Sequence, residues 1–105
     1  MSIDNSFKDY ILDQLIGLDN IWSKRMFGGF GLYAGETFFG IMSDDVLYLK
    51  TNKQTKKGFV DAGMNPFRPS SKQTLKNYFE VPEEIVDNRE ELVIWANESI
   101  KISAK

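Results

Sequence analysis

Arg25-Met26-Phe27-Gly28-Gly29-Phe30-Gly31-Leu32-Tyr33 sets three glycines among large apolar residues behind a cation. Without a Cβ, glycine lets two backbones approach closely or takes φ > 0, so the run reads as a bulged, tightly packed strand corner. Around it, from Ile21 to Lys50, the hydrophobic period is two. Strands are expected over residues 22–26, 30–33, 37–42 and 46–50, with turns at Ala34-Gly35-Glu36 and Ser43-Asp44-Asp45. Connections this short join antiparallel neighbours, so the region reads as a meander. In its last strand Leu47 and Leu49 share one face while Val46, Tyr48 and Lys50 share the other. One face should pack on helices and the other stay partly wet.

The flanks supply the helices. Phe7, Ile11, Leu15 and Leu18 recur at helical spacing and predict a helix over residues 4–18. A second helix is expected over residues 53–62, capped by Thr51 or Asn52, closed by Gly63 and stopped by Pro66. Prolines and small polar residues make 65–71 a loop, and residues 75–81 read as one more strand, at an edge or added to the meander. Pro82-Glu83-Glu84 begins a helical turn, and Asp87 with Glu90 restarts it as a longer helix. Leu92, Trp95, Ala96 and Ser99 form the inward stripe of that helix. The expected fold is a single α+β domain over residues 1–105, in the order α-β-β-β-β-α-β-α. Its sheet is largely antiparallel, with helices on one side.

Composition narrows the chemistry. The 105 residues contain neither Cys nor His. Disulfides, thiolate or imidazole metal ligands, Cys nucleophiles and His proton shuttles are therefore excluded. A non-enzymatic role without cofactor or metal is the expectation. No window approaches the ~20 apolar residues that span a bilayer. A cytoplasmic protein is expected.

The net charge of −2 hides a segregation along the chain. Residues 1–49 carry 3 basic and 7 acidic side chains, residues 50–76 carry 7 and 1, and residues 77–105 carry 3 and 7, which sum to the 13 and 15 of the whole chain. A segment at +6 thus lies between two at −4. One reading is a solvated surface that pairs with acidic neighbours after folding. The other is a footprint for an acidic partner or a phosphate backbone.

The glycine run, Leu47-Tyr48-Leu49-Lys50, Gly63 ahead of Pro66-Phe67, and Tyr78-Phe79-Glu80-Val81-Pro82-Glu83-Glu84 together resemble the N-terminal domain of the TfoX/Sxy family of bacterial competence regulators. The signature residues are Met26, Phe27, Gly28, Gly29, Gly31, Tyr33, Tyr48 and Pro82. The resemblance implies a stand-alone form of a domain that elsewhere precedes a C-terminal helical one. It also implies control of DNA-uptake genes through a protein partner of the cyclic-AMP receptor type, and it supplies no catalytic residues.

The residues themselves leave two functional classes. A protein-docking surface would use Arg25, Lys50, Lys53, Lys56, Lys57, Arg68, Lys72 and Lys76. Direct nucleic-acid or anion binding would use the same cations, although an acidic chain starts disadvantaged for it. Gly28-Gly29-Phe30-Gly31 lacks the helix and the Gly-Lys-Ser/Thr ending of a phosphate loop, so packing is its expected role. Arg25 either pairs with Glu36 or Glu80 or presents a free guanidinium fork.

Overall fold

The computed structural model describes residues 6–26 and 28–104. Helix α1 (Ser6–Gln14) leads into strands β1 (Ile21–Met26), β2 (Gly29–Ala34), β3 (Thr37–Ser43) and β4 (Val46–Lys50). Helix α2 (Lys53–Asp61), strands β5 (Pro66–Ser70) and β6 (Gln73–Glu80), and helices α3 (Glu83–Val86) and α4 (Arg89–Ser103) complete the chain. All strand pairs are antiparallel, in one sheet of spatial order β1-β2-β3-β4-β6-β5. The α+β expectation and the meander stand.

Four expectations change in detail. The first helix closes at Gln14 and continues to Leu18 as turns, with Leu18 N–H donating to Leu15 at 2.9 Å. Residues 4 and 5 of that expectation, and Phe27 of the signature, lie outside the described residues. The proline-bearing stretch expected as a loop is the edge strand β5. Pro66 and Pro69 lack N–H groups, and an outer strand has a side where no partner requires one. Strand β6 does extend the meander by pairing with β4, but β5 covers it, so it is interior. Finally, the C-terminal helix restarts as expected, but its cap is Asn88, whose Oδ1 accepts from Glu91 N–H at 3.1 Å. Asp87 instead accepts the Tyr10 hydroxyl proton at 2.8 Å.

The helices share one face of the sheet with Leu32, Phe39, Met42, Leu47, Leu49 and Phe79. Leu32, Phe39 and Leu49 have no exposed surface there, and burying each such side chain favours folding by about 1.5–3 kcal/mol. A bulge tunes the packing. Tyr33 pairs with Phe38 and Leu32 with Gly40, so Phe39 is an extra residue in β3. That insertion sends Phe38 to the open face and lets Phe39 enter the core.

The glycine corner has two separate requirements. Gly28 adopts φ +73° with open space around it, as the turn between β1 and β2 demands. Gly29 lies against the backbone of β3, where a Cβ would overlap the Met42 carbonyl oxygen. The β3–β4 hairpin also needs the left-handed region. Ser43 pairs with Val46, and Asp44 and Asp45 between them have φ 52° and 62°, a two-residue turn of the left-handed kind.

Candidate functional site

The seven cations of the 50–76 segment gather at one end of the sheet. Lys50 closes β4, and Lys53, Lys56 and Lys57 follow at once on α2. Lys76 lies on β6 two residues before Tyr78, which pairs with Lys50, and the β5–β6 hairpin carries Arg68 and Lys72 beyond it. Helix α2 is held by a reciprocal cap. Asn52 Oδ1 accepts from Gln54 and Thr55 N–H at 2.9 Å, and Thr55 Oγ1 accepts from Asn52 N–H at 2.9 Å. Thr51, nearly buried, donates its hydroxyl to Asn77 O at 2.9 Å and so ties the start of α2 to β6. A bond from Met64 N–H to Phe59 O and one from Gly63 N–H to Val60 O close the helix.

These cations differ in what they touch. Lys50 is half-buried, with Nζ 5.4 Å from the centroid of the Tyr78 ring. Lys56 reaches Asn77 Oδ1 at 3.3 Å and lies 5.9 Å from the Phe79 ring centroid. Lys53, Lys57, Arg68, Lys72 and Lys76 are exposed. Among the described residues the ion pairs are Lys8–Asp9 and Arg89–Asp13, and neither involves this segment.

Arg25 is elsewhere. It is exposed on β1, four strand spacings or about 19 Å from β6. Glu80 pairs with Tyr48 across the sheet from it, and Glu36 lies in the turn beyond the opposite end of β2. Neither expected pairing forms.

Five carboxylates from the two acidic segments gather at the other end of the β4–β6 ladder. Asp44 and Asp45 precede β4, Glu80 ends β6, and Glu83 and Asp87 flank α3. A cleft of about 350 Å³ opens there between α1 and the junction of β4, β6 and α3. Asp45 reaches it from the first acidic segment, while Glu80, Glu83 and Asp87 reach it from the last. Tyr10 also lines it, and its hydrogen bond to Asp87 holds its phenol above the ordinary tyrosine range. No three carboxylates among the described residues converge closely enough to hold a metal ion.

The sheet face away from the helices carries a run of rings that single-sequence reading missed. Trp22 stacks on Tyr33 at 4.5 Å between centroids, Tyr33 meets Phe38 at 5.3 Å, and Phe38 meets Tyr78 at 5.6 Å. Tyr48 and Phe67 pair at 4.7 Å, and Ile41 is fully buried beneath this layer. The signature residue Tyr33 belongs to the run, and Met26 packs over Gly31, where a Cβ would come within 3.0 Å of both Met26 and Phe38. Tyr48, another signature residue, has its phenol pushed up by burial and by the nearby Glu80 and Asp44 carboxylates. The signal was present in the sequence as aromatics at outward strand positions, but the bulge that puts Phe38 among them was not.

No curated protein matches the chain. The TfoX N-terminal domain family matches residues 13–103. That span begins inside α1 and ends with the last residue of α4, so it takes in the glycine corner, all six strands, Pro82 at the start of α3 and both poles of the β4–β6 ladder. On that match and this architecture, the chain belongs to the TfoX N-terminal domain family.

Proposed function

We propose that this domain is a regulatory protein-interaction module, without catalytic activity, whose lysine-bearing end docks an acidic surface of a transcription-factor partner. The observation that carries the reading is the gathering of Lys53, Lys57, Arg68, Lys72 and Lys76, all exposed and without a carboxylate partner among the described residues, at one end of a pinned helix and hairpin. Lysines in the first turns of α2 oppose the helix dipole, at about 0.3–1 kcal/mol each. Folding gains nothing from that placement, whereas an acidic partner would. The family resemblance supplies the class of partner, a cyclic-AMP receptor-type transcription factor, and the process, expression of competence genes in the cytoplasm.

The test is a binding measurement between the purified domain and such a transcription factor, with the Lys53→Glu/Lys57→Glu variant alongside. Lys56 is left in place because it bonds to β6. The variant should fold and lose the partner. Equal binding by both proteins would remove this surface from the reading.

One observation favours a second reading, direct binding of single-stranded nucleic acid. The open face offers aromatic rings beside Lys50, and stacking platforms with cations bind bases. Against it, most of these rings already stack on one another, and the acidic pole repels phosphate. A salt titration separates the two. Affinity for an oligonucleotide that falls by about 0.7 log units per log unit of salt for each phosphate contacted would favour it, and a flat response would eliminate it.

A further inference from the structure

The cleft at the acidic pole sits at the opposite end of the ladder from the lysine-bearing surface. We propose that it docks a segment of a protein partner that carries arginine or lysine side chains on an apolar stretch. Its floor is built by Phe7, Val46, Leu47, Val81 and Val86, drawn from α1, β4, the end of β6 and α3. Around that floor stand the carboxylates of Asp45, Glu80, Glu83 and Asp87, and no cation among the described residues lines the cleft. The neighbouring cation, Arg89, is engaged on α1, with Nη2 at 2.8 Å from Asp13 and Nε at 3.3 Å from Gln14 Oε1.

The charge complementarity is specific to the folded chain. Asp45 and the group of Glu80, Glu83 and Asp87, more than thirty residues apart in sequence, are brought to one opening, while the basic segment between them is carried to the far end of the same strands. Intramolecular neutralisation, the default fate of mixed surface charge, is thereby avoided at this place. Like charges held near one another repel, and a guanidinium or ammonium head among them relieves that repulsion. Arginine and lysine also have the matching body, since their methylene stems lie on apolar surface while the head stays at the polar rim.

The other occupants fit less well. A phosphate-bearing polymer is repelled by four carboxylates. A metal ion lacks three converging ligands among the described residues. A small free amine would satisfy one carboxylate and leave the others, whereas a peptide offers several heads spaced along an apolar strand.

The test uses the whole chain and a fluorescein-labelled peptide that alternates leucine and arginine, followed by fluorescence anisotropy at low and moderate salt. Binding should saturate. The Glu80→Gln/Glu83→Gln variant should weaken it by about tenfold, the equivalent of two lost exposed ion pairs. Glu84→Gln/Glu90→Gln, which removes two exposed carboxylates outside the cleft, should leave it unchanged. A peptide alternating glycine and arginine should bind more weakly, because it cannot use the floor. Lys53→Gln/Lys57→Gln should bind as the parent does, so failure here and failure of the lysine-bearing surface are separately visible. Equal weakening by the two glutamate pairs, equal binding of the glycine peptide, full displacement by agmatine alone, or no binding would each overturn the proposal. Circular dichroism melts of each variant confirm that the fold is retained.

Discussion

Replacing Gly29 by alanine should be among the most damaging additions of one methyl group that this chain can take. A Cβ there would overlap the Met42 carbonyl oxygen and lie 3.1 Å from both the Met42 carbonyl carbon and Ser43 Cα. These are backbone atoms of β3, so no side-chain rotation relieves the clash, and β2 must separate from β3 at the start of the hairpin. Overpacking costs about 1–3 kcal/mol when neighbours can yield, and a backbone obstacle places this change at about 3 kcal/mol or above. A chain of this size has a total stability on the order of 5–15 kcal/mol. At about 4–8 °C per kcal/mol, Tm should fall by roughly 12–24 °C. Two other glycines calibrate the measurement. Gly28→Ala meets nothing within 4 Å and costs only the left-handed backbone of φ +73°, about 1–2 kcal/mol. Gly58→Ala, on an exposed position of α2 with nothing within 4 Å, should gain about 1 kcal/mol of helix propensity. Thermal melts followed by circular dichroism should rank Gly58→Ala above the parent, then Gly28→Ala, then Gly29→Ala. If Gly29→Ala melts within a few degrees of Gly28→Ala, the close approach of β2 to β3 is not what fixes the glycine.

Three further outcomes follow from the same geometry. Ser99, 3% exposed, donates its hydroxyl to Lys50 O at 2.9 Å and joins α4 to the end of β4. Ser99→Ala should cost about 1–2 kcal/mol in urea unfolding. The ion pair of Arg89 with Asp13, whose side chains are 52% and 63% exposed, should by contrast matter little, with Asp13→Asn changing stability by less than about 1 kcal/mol. The alkaline limb should report the tyrosines. Burial raises the phenols of Tyr48 and Tyr78, and the bond to Asp87 raises that of Tyr10. The folded chain then keeps protons that the unfolded chain gives up. Stability should be full below the ordinary tyrosine pKa of about 10 and fall as pH rises through the folded values. Melts across that range should show the decline, and Tyr78→Phe should flatten it.

Much of the fold was legible because local periodicity carried it. The period-two pattern from Ile21 to Lys50, with short polar turns, specified four antiparallel strands, and Leu47 with Leu49 named the buried face correctly. The prolines misled at residues 65–71. They signal a break in helices and central strands alike, and only the position of β5 at the sheet edge makes them compatible with pairing. Acidic residues favour helix starts, which makes Asp87 a cap in the sequence, but a contact with Tyr10, 77 residues away, claims its carboxylate. The site followed the same division. The lysines were visible as a charge run, and Arg25 was grouped with them by chemistry alone. The sheet order places it on β1, three strand spacings from Lys50 on β4 and four from Lys76 on β6.

What the sequence by itself determined was the four-strand meander and most of the helices, the family and the alternation of charge along the chain, because each depends on residues near one another in the chain. What only the tertiary structure decided was where the charge went. Antiparallel pairing of β4 with β6 sets Lys50 beside Tyr78 and Tyr48 beside Glu80, which carries the basic segment to one end of the ladder and Asp45, Glu80, Glu83 and Asp87 to the other. Register across strands is fixed by packing of both faces at once, and no local pattern contains that information.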